Sequence, residues 1–266
     1  MTTTTPTLAG ARVLVVGASA GIGEAFARSA ALAGAEVCVS ARRLEKLESL
    51  REELGSGHAI AGDATDADDC ATIADTAAER MGGIDLVLYT AGTAVLGALA
   101  DVGEDAWRRS YEVNVLGPAM VARAALPHLS ESGVIAFLSS EATHEFRWGM
   151  GTYAASKAAL DTAIRYWRYE NPHRRFSRVV IGATMPTEFG LNFEPEPLTE
   201  ALQKWASAGI EMTAMDTREV GLHLAELFGV VLAHPEIDLP DLYLDARLAG
   251  EMPPVPGIDI PRPPPS

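Results

Sequence analysis

The chain has 266 residues, of which 48% are hydrophobic and 21% charged, so it can bury a core and is not mainly disordered. Acidic residues outnumber lysine and arginine by 36 to 21, which argues against a partner such as the phosphate backbone of a nucleic acid. Two cysteines, Cys38 and Cys70, are too few for a disulfide framework and fit a reducing cytoplasm.

Neither a targeting segment nor a membrane span is expected. The N-terminal residues are rich in threonine and lack the basic and apolar regions of a secretory signal. The longest apolar runs, such as residues 13–16, have the length of a strand and not the roughly 20 residues of a membrane helix. The histidines and cysteines lack metal-ligand spacing, so no metal site is expected.

Short β-branched runs alternate with helical patterns along the chain. Strands are predicted at residues 13–16, 37–41, 58–61, 86–89, 134–138, 178–181 and 242–244. Helices are predicted at residues 21–33, 44–54 and 66–81, in a long stretch from the fourth strand to about 129, and at residues 152–170 and 218–232. This alternation predicts an α/β fold with a doubly wound parallel sheet of about seven strands in a single domain.

The ends of the chain differ in composition from its middle. Residues 1–9 are predicted to form a short tail, and residues 10–250 the domain, with a substrate lid near 186–215. Residues 251–266 are rich in proline and are predicted to form an extended tail. An inert tail is favoured over a proline-rich ligand for a partner.

A glycine-rich loop joins the first strand to the first helix, with Gly17, Gly21 and Gly23 in a G-x-x-x-G-x-G spacing. Glycines let the backbone turn sharply and approach a phosphate, and the helix that follows presents free N–H groups. The position between an apolar strand and a helix favours a dinucleotide site over a tight turn without a ligand.

The end of the second strand should meet the adenosine ribose of such a dinucleotide. An acidic residue there would favour NAD(H), but the chain has Arg42 and Arg43, which can donate paired hydrogen bonds to a phosphate. NADP(H) is therefore favoured over NAD(H). The alternative is that both arginines are solvated residues at the start of the next helix.

Tyr153 and Lys157 are four residues apart at the start of a predicted helix, so they share one face. An adjacent ammonium should lower the pKa of a phenol and make it a general acid or base for a carbonyl–alcohol pair. The alternative is an ordinary amphipathic pair.

Two further polar residues are candidates for the same site. Ser140 ends the fifth strand, where active sites of open α/β sheets form, and its hydroxyl could polarise a substrate oxygen. Asn114 lies in an apolar stretch of the long helix and could hold a water that links Lys157 to solvent. A structural role for Asn114 is equally open.

These motifs, in this order and spacing, resemble the short-chain dehydrogenase/reductase family over roughly residues 10–235. The resemblance implies a Rossmann-like fold, a homotetramer or homodimer, and a catalytic tetrad of Asn114, Ser140, Tyr153 and Lys157. It implies an adenine contact from Asp63, ribose contacts on the nicotinamide side from Ala91 and Gly92, and NADP preference. The full set of implied cofactor-binding residues is Gly17, Ser19, Gly21, Ile22, Gly23, Arg42, Arg43, Asp63, Ala64, Ala91, Gly92, Tyr153, Lys157 and Thr187.

The sequence departs from the family pattern in three places. The family's Asn-Asn-Ala-Gly segment begins with Tyr89-Thr90 here, and Thr184-Met185 replaces the Pro-Gly after the sixth strand. Thr187 is still expected to bind the cofactor. The glycine loop carries no basic residue, so NADP preference depends on Arg42 and Arg43 alone.

Two segments with many large apolar side chains should bound the substrate. These side chains are His144, Phe146, Trp148 and Met150 in the first segment, and Phe189, Leu191, Phe193, Leu198, Leu202, Trp205 and Met212 in the second. They favour an apolar carbonyl or secondary alcohol as substrate, although a subunit contact is equally open. The sequence thus predicts a cytoplasmic NADP(H)-dependent oxidoreductase, and the alternative is a catalytically inactive dinucleotide-binding regulator or sensor.

Overall fold

The computed structural model describes residues 7–191, 193–210 and 213–246. The predicted proline-rich tail and most of the predicted N-terminal tail lie outside these residues. The strands are β1 (Arg12–Val16), β2 (Glu36–Ala41), β3 (His58–Ala61), β4 (Ile84–Tyr89), β5 (Leu129–Ser140), β6 (Arg175–Ile181), β7 (Thr184–Met185), β8 (Met215–Asp216) and β9 (Asp241–Leu244). The α-helices are α1 (Gly21–Leu32), α2 (Leu44–Leu54), α3 (Ala67–Met81), α4 (Glu104–Tyr111), α5 (Gly117–Ala125), α6 (Gly151–Glu170), α7 (Glu188–Leu191), α8 (Pro195–Ser207) and α9 (Thr217–Ala233).

Seven strands form one parallel sheet in the order β3-β2-β1-β4-β5-β6-β9. In the middle of the sheet, Val16 of β1 pairs with Ser40 of β2 on one side and with Tyr89 of β4 on the other. The strand order reverses between β1 and β4, and a crevice opens at the carboxyl ends of strands at such a point. The predicted doubly wound α/β fold is confirmed.

The apolar strands are covered on both faces, which explains why they read as continuous hydrophobic runs. On one face, Phe26 of α1 and Phe228 of α9 pack edge to face with their ring centroids 6.4 Å apart. On the other face, Ile73 of α3, Val121 of α5 and Ile164 of α6 are buried against the sheet. Local signals also set the helix starts, because Asp66 caps α3 by accepting hydrogen bonds from two backbone N–H groups.

Two regions differ from the expected helices. Residues 90–103 form a loop, and the predicted long helix begins only at Glu104 and is interrupted by a π-helical turn at Glu112–Leu116. The lid segment, residues 186–215, contains the helices α7 and α8. Apolar side chains of α8 at helical spacing, such as Ala201, Leu202 and Trp205, are buried and explain why this helix packs on the domain. Within the described residues, no helix has both the length and the apolar character needed to cross a membrane.

Candidate active site

A cavity of about 700 Å³ lies along the carboxyl ends of the strands, where the strand order reverses. It extends from the loop after β2 to the start of α6 and is bounded on its outer side by the lid segment. It brings together almost every residue that the sequence singled out. These residues are Gly17, Ser19, Gly21, Ile22, Gly23, Arg42, Arg43, Asp63, Ala64, Ala91, Gly92, Ser140, Tyr153, Lys157 and Thr187.

The glycine loop packs tightly against the end of β4. Gly17 has φ +95°, and a Cβ atom there would come within 2.5 Å of the Ala91 nitrogen, so a larger residue would have to displace the backbone. A Cβ atom at Gly23 would collide with the Thr90 hydroxyl. That hydroxyl donates a 3.0 Å hydrogen bond to the Val16 carbonyl oxygen. Thr90 therefore ties the end of β4 to β1, at a position where the resemblance implies an asparagine.

The far end of the cavity collects charged groups around Asp63. Its carboxylate accepts hydrogen bonds from the Thr65 backbone N–H and hydroxyl, at 3.0 and 2.8 Å. Burial alone would raise the pKa of the Asp63 carboxyl, but these hydrogen bonds and the charges of Arg42 and Arg109 hold it below its ordinary value. Arg109 is not recognisable as a site residue from the sequence, because only the fold brings α4 to the loop after β3.

Arg43 is engaged within the protein. Its guanidinium donates to the Ser19 hydroxyl at 2.8 Å and to both carboxylate oxygens of Glu188, at 3.1 and 2.6 Å. Lys46 of α2 also pairs with Glu188. Arg42, in contrast, forms no ion pair among the described residues and lines the cavity as an exposed cation. Thr187, next to Glu188, lies over the glycine loop, 3.7 Å from where a Gly21 Cβ would be.

The other end of the cavity holds Tyr153 and Lys157 on the first turns of α6. Both side chains are buried, and the Lys157 nitrogen lies 5.8 Å from the centroid of the phenol ring. The ammonium donates a 2.7 Å hydrogen bond to the Leu138 carbonyl oxygen on β5. Gly92 lies opposite, and a Cβ atom there would be 3.8 Å from the Lys157 nitrogen.

The sequence predicts that Lys157 lowers the pKa of the Tyr153 phenol. This prediction is wrong for the protein chain considered without a nucleotide. Burial raises the pKa of Tyr153 to about 12; the Ser140 hydroxyl opposes this shift, and the charges of Glu141 and Asp161 add to it. Burial also lowers the pKa of Lys157 to about 8, although Asp161 partly opposes that change. The prediction considered the charge of Lys157 but not the burial of both side chains. Burial removes water from Tyr153 and Lys157 and favours the uncharged form of each.

Ser140 lies beside the phenol at the end of β5. It is buried and lines the cavity, and its oxygen accepts a 3.2 Å hydrogen bond from the Ala142 backbone N–H. The hydroxyl proton is therefore available to a second acceptor. The short 3₁₀ turn at Glu141–Thr143 fixes the direction of the strand end and of this side chain.

Among the predicted catalytic and cofactor-binding residues, Asn114 alone does not line the cavity. It is fully buried in the π-helical turn, where its carboxamide oxygen accepts from the Thr93 N–H at 3.0 Å. Its amide nitrogen donates to the Thr93 carbonyl oxygen at 2.8 Å and to the Ser156 hydroxyl at 2.9 Å. The amide therefore joins the loop after β4 to α6. These contacts do not agree with the predicted role of Asn114 in holding a water, because both of its amide protons already have protein acceptors.

The lid segment supplies an apolar wall around Tyr153. Phe189 packs on the phenol with its ring centroid 5.1 Å away, and Trp205 donates a 2.9 Å hydrogen bond to the Trp148 carbonyl oxygen. The cavity-lining apolar residues here are Met150, Phe189, Phe193, Leu198, Leu202 and Trp205.

Phe146 departs from the expected apolar wall, since its side chain is 90% exposed and lies outside the cavity. His144 and Trp148 also do not line it. The Leu191 side chain and Met212 lie outside the part of the chain that is described.

A charged pair breaks this apolar wall next to Ser140. Glu141 is buried, and its carboxylate pairs with Arg147 at 2.6 Å. Both residues line the cavity. Burial raises the pKa of the Glu141 carboxyl, and the Arg147 charge opposes this shift. Sequence reasoning missed Arg147, because a single arginine between aromatic residues carries no local signal of an ion pair.

Comparison with known proteins gives consistent results. A family model described as short chain dehydrogenase matches residues 11–193. The chain is 32% identical to a glycine betaine reductase from Emericella nidulans over 206 residues, which are 72% of this chain and 16% of the relative. It is 32% identical to an 11-beta-hydroxysteroid dehydrogenase A from Sesamum indicum over 221 residues, 80% of this chain and 60% of the relative. The chain thus spans less than two thirds of the length of each of these curated relatives.

Among solved structures, the chain is similar to an alcohol dehydrogenase from the archaeon Thermococcus sibiricus, complexed with 5-hydroxy-NADP. The TM-score is 0.73 at 25% sequence identity, and the match covers 87% of this chain and 94% of that one. The family model's match to residues 11–193 includes the elements that carry Ser140, Tyr153 and Lys157.

Proposed function

Since the chain belongs to the short-chain dehydrogenase family, we propose that it is an NADP(H)-dependent oxidoreductase. It would transfer hydride between the nicotinamide and a carbonyl or secondary-alcohol substrate, with Tyr153 as general acid and base. One observation carries this proposal: Ser140, Tyr153 and Lys157 line the same cavity as the glycine loop. No comparable observation favours the alternative, an inactive dinucleotide-binding regulator.

The residues around the cavity fit a nicotinamide dinucleotide. There is no room for a Cβ atom at Gly17 or Gly23, so backbone borders the cavity at these positions, where a pyrophosphate would lie, and α1 begins there with free N–H groups. Asp63 and Ala64 would contact the adenine, and Ala91, Gly92 and Thr187 would hold the nicotinamide half. When bound, this group supplies or accepts the hydride.

The preference for NADP(H) depends on the cations after β2. Arg42 is exposed in the cavity and has no ion-pair partner among the described residues, so it is available to a 2′-phosphate. Arg43 is the second donor, one residue further along. The similar archaeal alcohol dehydrogenase is described in complex with 5-hydroxy-NADP, which is consistent with this preference.

The side chains around Tyr153 would move the proton. In carbonyl reduction, the Tyr153 hydroxyl donates its proton to the substrate oxygen while the Ser140 hydroxyl donates a hydrogen bond to the same oxygen. The Lys157 ammonium stabilises the phenolate that remains. Asn114 positions the loop after β4 relative to α6 through its hydrogen bonds to Thr93 and Ser156. Alcohol oxidation uses the same groups in reverse.

We propose an apolar ketone, aldehyde or secondary alcohol as the substrate. Met150, Phe189 and Trp205 form an apolar wall that offers few hydrogen-bonding groups to a polar substrate. The ion pair of Glu141 and Arg147 is the exception. A hydroxysteroid dehydrogenase among the relatives acts, by its name, on a substrate of this apolar kind.

The remaining expectations stay predictions. A homodimer or homotetramer is proposed from the family, and large exposed side chains on α4 to α6, such as Tyr111, Leu116 and Tyr166, offer apolar surface for a subunit contact. The cytoplasmic location is proposed from the sequence alone.

A fluorescence titration with NADPH and NADH tests the cofactor proposal directly. NADPH is expected to bind more tightly, and a panel of apolar ketones and aldehydes with the preferred cofactor should then show loss of the reduced-nicotinamide absorbance. Binding of neither nucleotide would contradict the proposed function. Binding without turnover across the panel would favour the regulatory alternative.

A further inference from the structure

Glu188 places a carboxylate at the edge of the cofactor cavity, between the glycine loop and α2. It is 145 residues from Arg43 in the chain, and the fold brings its carboxylate into contact with both donor nitrogens of that guanidinium. Lys46 donates to the same carboxylate, and Arg43 also donates to the Ser19 hydroxyl. Two cationic side chains, Arg43 from the loop after β2 and Lys46 from α2, thus converge on one carboxylate.

This arrangement is the one that a phosphate would require. A planar guanidinium binds carboxylate and phosphate oxygens in the same paired geometry, and a lysine adds a second positive charge to such a site. The Ser19 hydroxyl accepts a hydrogen bond from Arg43 and so helps to orient the guanidinium. Ser19, Arg43 and Glu188 all line the cavity, so the anion position is accessible to a bound nucleotide. The neighbouring Arg42 lies towards Asp63 instead, and it pairs with no carboxylate among the described residues.

We propose that the Glu188 carboxylate is an internal occupant of the anion site formed by Arg43 and Lys46 beside Ser19, and that a 2′-phosphate must displace it to bind. The proposal rests on the assignment of NADP(H) as cofactor. Glu188 then reduces the affinity for a 2′-phosphate, while a nucleotide without that phosphate leaves the ion pair intact.

The position of Glu188 in the chain gives this displacement a consequence at the catalytic end. The next residue, Phe189, packs on the Tyr153 ring, and the preceding one, Thr187, lies over the glycine loop. The ion pair therefore anchors the start of the lid segment at the adenosine end of the cavity. Release of Glu188 frees this anchor, so the choice of nucleotide is linked to the position of the lid.

Calorimetric titration with two fragments of the cofactor tests the proposal without any turnover. Adenosine 2′,5′-bisphosphate carries the 2′-phosphate, and adenosine 5′-monophosphate differs from it only by lacking that group. Because the side chains of the ion pair are 35–46% exposed, their interaction is modest. Glu188→Gln is expected to tighten binding of the bisphosphate about three- to tenfold. Binding of the monophosphate should change by less than about twofold.

Two further variants show whether the effect passes through Arg43. Glu45→Gln removes a nearby exposed carboxylate that forms no ion pair among the described residues, and it should leave both affinities unchanged. In an Arg43→Ala background, Glu188→Gln should no longer favour the bisphosphate, because coupled residues lose their mutual effect in such a cycle.

The outcomes separate this proposal from the proposed function. Weaker binding of both fragments by Glu188→Gln, or no change, would overturn the displacement while leaving a 2′-phosphate preference of the natural protein in place. A natural protein that binds both fragments alike would contradict the NADP assignment. If Glu188→Gln then produced a preference for the bisphosphate, the displacement itself would still be supported.

Discussion

Lys157 follows Tyr153 by one helical turn, with its nitrogen 5.8 Å from the phenol ring and bonded to the Leu138 carbonyl oxygen. Both groups are buried, so the protein favours the protonated phenol and weakens the charge on the lysine. With pKa values of about 12 and about 8, the phenol carries its proton at neutral pH while most of the ammonium remains charged. This state is suited to donating a proton to a carbonyl oxygen.

The pH dependence of the two reaction directions should differ. The lowered pKa of Lys157 means that its charge is present below about pH 8 and is lost as the pH rises through that value. Carbonyl reduction needs that charge to stabilise the phenolate, so its kcat/KM should be flat near neutral pH and fall above about pH 8. Alcohol oxidation needs the phenolate and should rise with pH. A reduction rate that rises through pH 8, at constant cofactor affinity, would contradict this assignment.

Replacing Arg42 and Arg43 together by alanine should weaken NADPH binding about ten- to a hundredfold, because charge-assisted hydrogen bonds to the phosphate are lost. NADH binding should change by less than about threefold. Arg51→Ala is a matched control, since Arg51 is a partly exposed cation on α2 that pairs with Glu48 and does not line the cavity. The measurement is a fluorescence titration with each nucleotide, and equal losses for both would remove the proposed cofactor preference.

Asn114→Ala should destabilise the protein and lower its activity together. The substitution leaves the Thr93 N–H and carbonyl and the Ser156 hydroxyl without their partner, at a cost of about 1–3 kcal/mol in the free energy of unfolding. Ser110→Ala is the control, because the buried Ser110 hydroxyl has no hydrogen-bond partner among the described residues. Urea unfolding measures the difference. Equal stability of the two variants would show that the amide does not hold the loop to α6.

Trp205→Phe should weaken the attachment of the lid segment to the domain and leave Tyr153, the proposed proton donor, unchanged. It removes the hydrogen bond to the Trp148 carbonyl oxygen, and the KM for an apolar carbonyl is expected to rise about two- to tenfold at nearly constant kcat. Trp107→Phe on α4 is the control, since Trp107 does not line the cavity. The measurement is the steady-state kcat and KM of each variant with an apolar carbonyl. A change in kcat alone would indicate that Trp205 does not help to bind the substrate.

Periodicity and turn residues predicted most of the fold. The strand at His58–Ala61 has the expected bounds, and the helix that starts at Gly21 follows from the helical spacing of the apolar residues after the glycine loop. The stretch between Tyr89 and Leu129 was predicted as continuous helix. Its apolar residues could not indicate the loop before Glu104 or the π-helical turn that carries Asn114. Both depend on packing against α6.

The candidate site was predictable where its residues are close in sequence and not where they are distant. Tyr153 and Lys157 lie on one helix turn, and their meeting follows from the helix itself. The contacts of Glu188 with Arg43, and of Arg109 with the surroundings of Asp63, join segments that only the fold brings together. The pKa of Tyr153 failed as a prediction for a related reason, because burial is a property of the packed structure.

The Tyr153→Phe variant tests the central claim most directly. The substitution removes one oxygen from a side chain whose ring packs against Phe189, so the fold and the cavity should persist. Turnover of a carbonyl that the natural protein reduces should fall at least about 10²- to 10⁴-fold, while the Kd for NADPH stays within about twofold. Full activity of the variant with every such substrate would contradict the assignment of Tyr153 as the proton donor.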